Sequence, residues 1–206
     1  MLPVITIARQ FGSGGHEVGE HLAEKLGIPL LDKQLIAMAA KQSGLSEEVF
    51  LKADEKAGNS LLYSMVMGNY TFGSRITGVN AMPINDKLFL LQNDIIKDAA
   101  AKGPCVVIGR CGDYILRDFD NVFHVFIHAN KEARIARIVR KGLCEQNKAA
   151  DFIQKRDKQR ANYYNFYSNR RWDDLSNYHL TIDSSLYTEA DQVAEIIIRA
   201  IENRAV

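Results

Sequence analysis

Pro3-Val-Ile-Thr-Ile-Ala-Arg-Gln-Phe-Gly-Ser-Gly-Gly-His-Glu-Val-Gly-Glu-His-Leu-Ala-Glu-Lys-Leu26 is the stretch that decides the fold. Its β-branched, apolar opening from Pro3 to Ala8 reads as a buried strand, Arg9 to Gly15 as a glycine turn, and Glu17 to Leu26 as an amphipathic helix. Gly27 stops that helix, Ile28 to Leu31 gives a short second strand, and Asp32 caps a further helix running through Leu35, Ile36 and Ala39.

The same alternation continues along the chain. Leu88, Leu91, Ile95 and Ala99 give helical spacing over Asp86 to Ala101, and Cys105 to Ile108 reads as a strand ending in Gly109-Arg110. Val122 to Ile127 is a strand feeding a helix from Lys131 to about Lys141, and His179 to Asp183 is a last strand before a closing helix from Thr188 to Arg204. Apolar strands that alternate with helices predict an α/β fold with a mainly parallel sheet covered on both faces. Between Ser43 and Ile84 the pattern loosens around scattered glycines, methionines and tyrosines, which predicts a helical or mobile insertion. No internal repeat or low-complexity tract interrupts a single domain spanning residues 1–206.

Composition narrows the function classes. A chain of 206 residues with 47% hydrophobic and 25% charged side chains excludes a fibre or a disordered tail. Cys105, Cys111 and Cys144 form neither a paired framework nor a CxxC, so a disulfide scaffold and a zinc module are unsupported and no metal ligand set is expected. The start of the chain has no basic n-region or cleavage site, and no run of about 18 apolar residues occurs, so the expectation is a cytoplasmic protein with no membrane partner.

The net charge of +1 conceals an asymmetry: from Lys131 to Arg171 there are 12 Lys/Arg against 4 Asp/Glu. Such a patch suits a solvated face, a nucleic-acid surface or the wall of a phosphate site. The aromatic run Tyr163 to Tyr167 next to Arg170, Arg171 and Trp172 could stack bases, but its place beside the predicted hinge favours packing of a helix on the sheet, and no nucleic-acid partner is expected.

The glycine turn is the chemical signal. A buried strand, glycines that let a backbone come close and a following helix with unpaired N–H groups suit a phosphate, although the same turn could serve packing alone. The dinucleotide pattern GxGxxG, counted from Gly12, fails at Glu17, although Asp32 stands 20 residues on, where a ribose-binding acid would. The triphosphate pattern GxxxxGK[ST], begun at Arg9, keeps Gly14 and has Gly15 at the lysine and His16 at the hydroxyl position.

The turn, with Gly19, Leu22-Ala-Glu-Lys-Leu-Gly-Ile-Pro29 and Asp32, resembles the opening of the cytidylate kinase-like family, a branch of the P-loop nucleoside monophosphate kinases. The resemblance extends through Val107-Ile-Gly-Arg110, Arg134, Arg137, Lys155-Arg-Asp-Lys-Gln-Arg160, Tyr163-Tyr164, Trp172 and Asn177 to Ser185. It implies a P-loop NTPase-like three-layer sandwich with a five-stranded parallel sheet, an insertion at 43–84 near the acceptor site and a short helical lid at 134–160. It also implies ATP and Mg²⁺ as cofactors and phosphoryl transfer to a nucleoside monophosphate, CMP or dCMP. The absent lysine and hydroxyl remove a cation from the β- and γ-phosphates and a metal-positioning group, so activity requires charge from elsewhere.

Candidate roles follow. Arg9, Gly12, Ser13, Gly14, Gly15, His16 and Glu17 are expected to hold ATP, largely through backbone amides. Arg134 and Arg137 are three apart on one helix face, and Arg156 and Arg160 four apart on the next. Arg134, Arg137 and Arg160 are expected to act catalytically from a movable lid, with a salt-bridged helical hairpin through Glu132 and Asp157 as the alternative. Arg110 at a strand end is assigned by resemblance to the acceptor phosphate and Asp157 to the base or sugar of the nucleotide, Arg156 is expected to bind substrate, and Asp32 is a candidate for the acceptor pocket. The family's Gly-Arg-Asp order is broken by Cys111, which leaves open whether Asp113 or Asp32 attends the acceptor. A nucleotide-binding regulator without catalysis, a kinase of another small molecule and a dinucleotide-binding protein remain competing functions, and a homo-oligomer is left open.

Overall fold

A computed structural model of the chain describes residues 2–33, 37, 38, 41 and 84–204. The insertion expected at 43–84 and the helix through Leu35, Ile36 and Ala39 lie outside the described residues except for Ile84.

Five parallel strands form one sheet in the order β2-β3-β1-β4-β5: β1 Val4–Arg9, β2 Leu30–Leu31, β3 Val106–Ile108, β4 Val122–His128 and β5 Leu180–Asp183. β1 is central because its run of β-branched residues is apolar on both faces, and it pairs with β3 (Ile5 opposite Val106) and β4 (Ile5 opposite Phe123). Among the described residues the α-helices are α1 Gly15–Leu26, α2 Ile84–Lys102, α3 Gly112–Ile115, α4 Lys131–Arg140, α5 Ala149–Ser168 and α6 Ala190–Glu202, with short 3-10 turns at Gln146–Lys148, Leu175–Asn177 and Ser184–Leu186. The α4 start is fixed by Asn130, whose side chain accepts from Ala133 N at 2.8 Å, and the α6 start by a capping box of Glu189 and Gln192.

The helices make two outer layers. On one face Val18 and Leu22 of α1 and Val193, Ala194 and Ile197 of α6 bury Ile5, Ile7, Val125 and Ile127. On the other, Leu88 and Ile96 of α2, Ile115 of α3 and Tyr164 of α5 cover Val4, Ala8, Val107 and Phe126, with Trp172 and Tyr178. Burying apolar surface on both faces supplies about 25 cal/mol per Å² and sets the sheet's register. A smaller cluster of Ile138, Ala149 and Ile153 closes around Phe11 and Phe152, and so seats the α4–α5 hairpin against the glycine turn.

The tyrosines of the aromatic run on α5 pack inward, while Phe166 is exposed. Tyr163 donates to Gln92 Oε1 and Tyr167 to Asp86 Oδ1, both at 3.0 Å, and Tyr167 stacks on Phe89. Among the described residues no helix is long and apolar enough to cross a membrane. The three cysteines are free; burial pushes the Cys105 thiol up to about 11 and Cys111 well above the usual range, which keeps both protonated and unreactive.

Candidate active site at the carboxyl edge of the sheet

The turn leaving β1 is held by its own backbone. Gln10 N donates to Ile127 O at 2.9 Å, Ser13 N to Gln10 O at 3.3 Å, and Ser184 Oγ to Ser13 O at 2.6 Å. Gly12 and Gly14 sit at φ +79° and +81°, left-handed conformations that an L side chain strains to adopt. The first α1 bond runs from Val18 N to Gly14 O at 3.1 Å, so the amides of Gly15, His16 and Glu17 precede the helical ladder at the positive end of the helix. The Ser13 hydroxyl is buried with no partner among the described residues. This set of groups suits an anion.

Guanidinium groups crowd the same turn, and the Arg134–Asp157 ion pair of a salt-bridged hairpin joins α4 to α5. Arg134 is buried, donates from Nε to Phe11 O at 2.7 Å and pairs through Nη2 with Asp157 Oδ2. Arg137 donates from Nη1 to Gly12 O at 2.6 Å, with its guanidinium against Gly14. Arg160 donates from Nη1 to Arg9 O at 2.9 Å. Carbonyls turned outward by the left-handed glycines need donors, and these arginines supply them. Burial pulls Arg160 down to about 10, and burial with the neighbouring Arg140 lowers Arg137, yet both stay charged at neutral pH. An anion would relieve the mutual repulsion.

Beside the turn, across the ends of β1 and β3, lies a cavity of about 250 Å³. Arg9, Lys33, Arg110, Arg156 and Arg160 line it with Asp113, Gln159, Tyr163, Tyr164 and Trp172. Arg110 enters through an unusual turn in which Gly109, Arg110 and Cys111 are all left-handed, at φ 70°, 58° and 56°. Strain of that kind collects at functional sites. Asp113, two residues on, is buried and accepts from Tyr164 OH at 2.5 Å. Burial raises its carboxyl above the ordinary value, against the opposing Tyr164 hydrogen bond and the Arg170 charge.

Of the other residues singled out, Asp157 turns away from a ligand-contacting role: Oδ1 accepts from Phe11 N at 2.7 Å and Oδ2 meets Arg134. One oxygen holds the glycine turn and the other the hairpin. Asp32 faces His16 Nε2 at 3.4 Å and is not among the residues lining the cavity, whereas Asp113 is. His16 also meets Glu20 at 3.5 Å, so the side chain at the hydroxyl position is turned to carboxylates. Magnesium takes oxygen ligands in octahedral geometry, and an imidazole is a poor substitute. Among the described residues no group of three His, Cys, Asp or Glu could hold a metal.

Sequence reasoning missed Lys33, Gln159, Ser184 and Lys141. Lys141 pairs with the Glu17 carboxylate on the first turn of α1, and its spacing of four from Arg137 was the available signal. Ser184 carries no such signal, because its reach to Ser13 depends on β5 lying next to β4.

The sequence model of the Cytidylate kinase-like family matches residues 4–186. The chain belongs to this family. The fold extends beyond it: a crystal structure of an uncharacterized protein from Eubacterium ventriosum ATCC 27560 is 26% identical with a TM-score of 0.72, covering 98% of this chain and 99% of that one. A gluconokinase from Sinorhizobium meliloti 1021 superposes at TM-score 0.53 with 16% identity, covering 98% of this chain and 94% of that one. A deoxyadenosine kinase from M. mycoides, solved with the products dCMP and a flexible dCDP, superposes at TM-score 0.51 with 11% identity, covering 97% and 99%. No curated protein matches significantly. The chain thus has the fold of P-loop kinases, and within this cytidylate kinase-like protein the glycine turn and the cationic cavity share the carboxyl edge of the sheet, where ligands of open α/β sheets collect.

Proposed function

We propose that this cytidylate kinase-like protein transfers the γ-phosphoryl group of MgATP to a nucleoside monophosphate, with CMP or dCMP as the first acceptors to try. The reading is carried by one juxtaposition: an anion-binding turn directly beside a cavity with five cationic side chains and a single carboxylate. The donor's phosphates would lie on the amides of Gly15, His16 and Glu17, with Arg137 alongside. The acceptor's phosphate would lie in the cavity on Arg110, joined by Arg156 and Arg160. Phosphoryl transfer asks for little beyond alignment and charge stabilisation, and planar guanidinium forks supply both. Magnesium enters as part of the MgATP substrate. No nucleic-acid or membrane partner is proposed.

A second reading, a nucleotide-binding regulator, is favoured by one observation: Gly15 and His16 stand where the lysine and hydroxyl would be. Thermal-shift screening against ATP, GTP, NAD and the pyrimidine monophosphates, paired with product detection, separates the two. A ligand at 100 times its dissociation constant stabilises by about 2.7 kcal/mol. ADP formation dependent on CMP or dCMP supports the kinase. Binding without transfer to any monophosphate supports the regulator, and a shift by NAD alone overturns both.

A further inference from the structure

We propose that Arg9 replaces the missing P-loop lysine, its guanidinium contacting the phosphoryl group as it passes from the glycine turn to the acceptor cavity. The inference rests on the phosphotransfer reading and deepens it.

Two glycines report the path of the Arg9 side chain. A Cβ added at Gly15 would come within 2.7 Å of Arg9 Cβ and 3.0 Å of its Cγ. The lysine position of the ordinary pattern is therefore empty of side chain because the stem of Arg9 passes through that space. At the far end, a Cβ at Gly109 would come within 2.0 Å of Arg9 Nη1 and 3.2 Å of Cζ. The guanidinium thus lies over the end of β3, where it helps to line the cavity with Arg110 and Arg160. The chain has exchanged a lysine on the helix for an arginine on the strand, and glycine stands at both places that exchange requires.

The backbone of Arg9 is fixed for this task. It ends β1 opposite Ile127 of β4, and its carbonyl accepts from Arg160 at 2.9 Å. Arg137 sits elsewhere, against Gly14 and bonded to Gly12 O. The two arginines flank the turn, and only Arg9 lines the cavity into which the phosphoryl group would move. A guanidinium fork can span oxygens of both donor and acceptor, which a lysine ammonium does less well.

The test uses the full-length chain with Arg9→Ala, Arg9→Lys, and the exchange Arg9→Ala/Gly15→Lys. Turnover is measured with MgATP and CMP or dCMP, and calorimetry gives the affinities for ATP, ADP and AMP. Arg9→Ala is expected to lower turnover about 10³-fold, the scale of arginines acting on such transition states. It should weaken ATP by more than it weakens ADP, and leave AMP within about twofold. The exchange variant should recover at least tenfold of the lost turnover, because the lysine regains its space. Gly15→Lys with Arg9 present should lower the melting temperature, because the two stems overlap. If Arg9→Ala fails to fold, Arg9→Lys carries the same ATP against ADP comparison with charge retained at lower geometric fit. Turnover within threefold of the parent, or equal losses for ATP, ADP and AMP, overturns the proposal. If the parent protein transfers phosphate to no acceptor, the kinase reading fails, and the ATP against ADP comparison still decides whether Arg9 faces the terminal phosphate.

Discussion

Phe11, in the middle of the glycine turn, donates its backbone amide to Asp157, on the second helix of the hairpin, at 2.7 Å. Arg134 closes the triangle by donating to Phe11 O and pairing with the same Asp157. The turn's conformation is thereby set by residues about 120 to 150 positions away in the chain. The rings of Phe11 and Phe152 meet edge to face, and the Arg156 and Arg160 guanidiniums lie over Phe11. The hairpin and the glycine turn are packed and hydrogen-bonded as one unit.

Asp157→Ala is therefore expected to destabilise the fold by about 3 kcal/mol, because it leaves a buried arginine and a loop amide unpaired. Asp157→Asn, which keeps an acceptor for Phe11 N, should lose less. Urea denaturation of the three proteins checks the order. Equal stability of Asp157→Ala and the parent would return Asp157 to a ligand-contacting role.

Arg110→Ala separates acceptor from donor. Its guanidinium lines the cavity from a turn distinct from the one that would hold ATP, and loss of a charge-assisted contact costs about 2 kcal/mol. Affinity for the monophosphate should fall by about thirtyfold while ATP affinity changes by less than twofold, as read by calorimetry. Equal losses would show that Arg110 serves both.

The strands were legible because apolar β-branched runs such as Val4 to Ile7 and Val122 to Ile127 leave few alternatives, and their parallel arrangement, though not their order in the sheet, followed from the alternation with helices. Edge strand β2 spans just Leu30–Leu31, and among the described residues it pairs with β3 alone. The glycine turn was legible from three glycines behind a strand. What the arginines do was not: helical spacing places Arg134 and Arg137 on one face but is silent on the carbonyls of Phe11 and Gly12 that receive them. Asp113 and Asp32 could not be ranked from sequence, because the left-handed turn at Arg110 and Cys111 decides which acid reaches the cavity.

Acid should weaken the fold through His124 of β4 and His179, which directly precedes β5. His124 is buried, its Nδ1 bonded to Thr6 Oγ1 at 2.8 Å, and it stacks on His179, whose Nδ1 accepts from His124 N at 2.9 Å. Burial first, then His179 and Arg170, hold His124 down at about 4, and burial with Arg204 lowers His179. Unfolded histidine takes its proton near 6.5, so stability from the neutral pair is complete above that pH and is lost as pH falls from 6.5 through about 4. The loss from His124 should be about 3 kcal/mol. Urea midpoints at pH 7.5, 6 and 5 should fall in that order, and His124→Asn should flatten the trend; a parent midpoint constant from 7.5 to 5 would contradict it.

Asp113 predicts the opposite slope. Its raised carboxyl means the folded state resists ionisation, so this group favours folding at low pH and opposes it as pH rises through its folded value. Asp113→Asn keeps an acceptor for Tyr164 OH and removes the buried charge. Its melting temperature relative to the parent should rise at pH 8, and the advantage should shrink as the pH is lowered toward the ordinary carboxyl range. A variant that melts lower at pH 8 would show that the carboxylate is held by its partners rather than opposed by burial.

Arg137 tests whether the guanidinium beside the turn acts in the transition state or merely completes the loop. It already bonds Gly12 O at 2.6 Å, so its removal frees one carbonyl that water can reach, a modest structural loss. Its larger contribution would come when charge spreads over the transferring oxygens. Arg137→Ala is expected to cut turnover about 10³-fold while ATP affinity falls by less than tenfold, the pattern of an interaction stronger in the transition state than in the ground state. Arg171→Ala is the control, because Arg171 is exposed and paired only locally with Asp173 at 3.0 Å, and both quantities should stay near the parent's. Single-turnover rates alongside calorimetry read the two effects apart. Parallel losses in affinity and rate for Arg137→Ala would assign it to ground-state binding, and the transition-state charge would then fall to Arg9 and Arg160 on the cavity side of the turn.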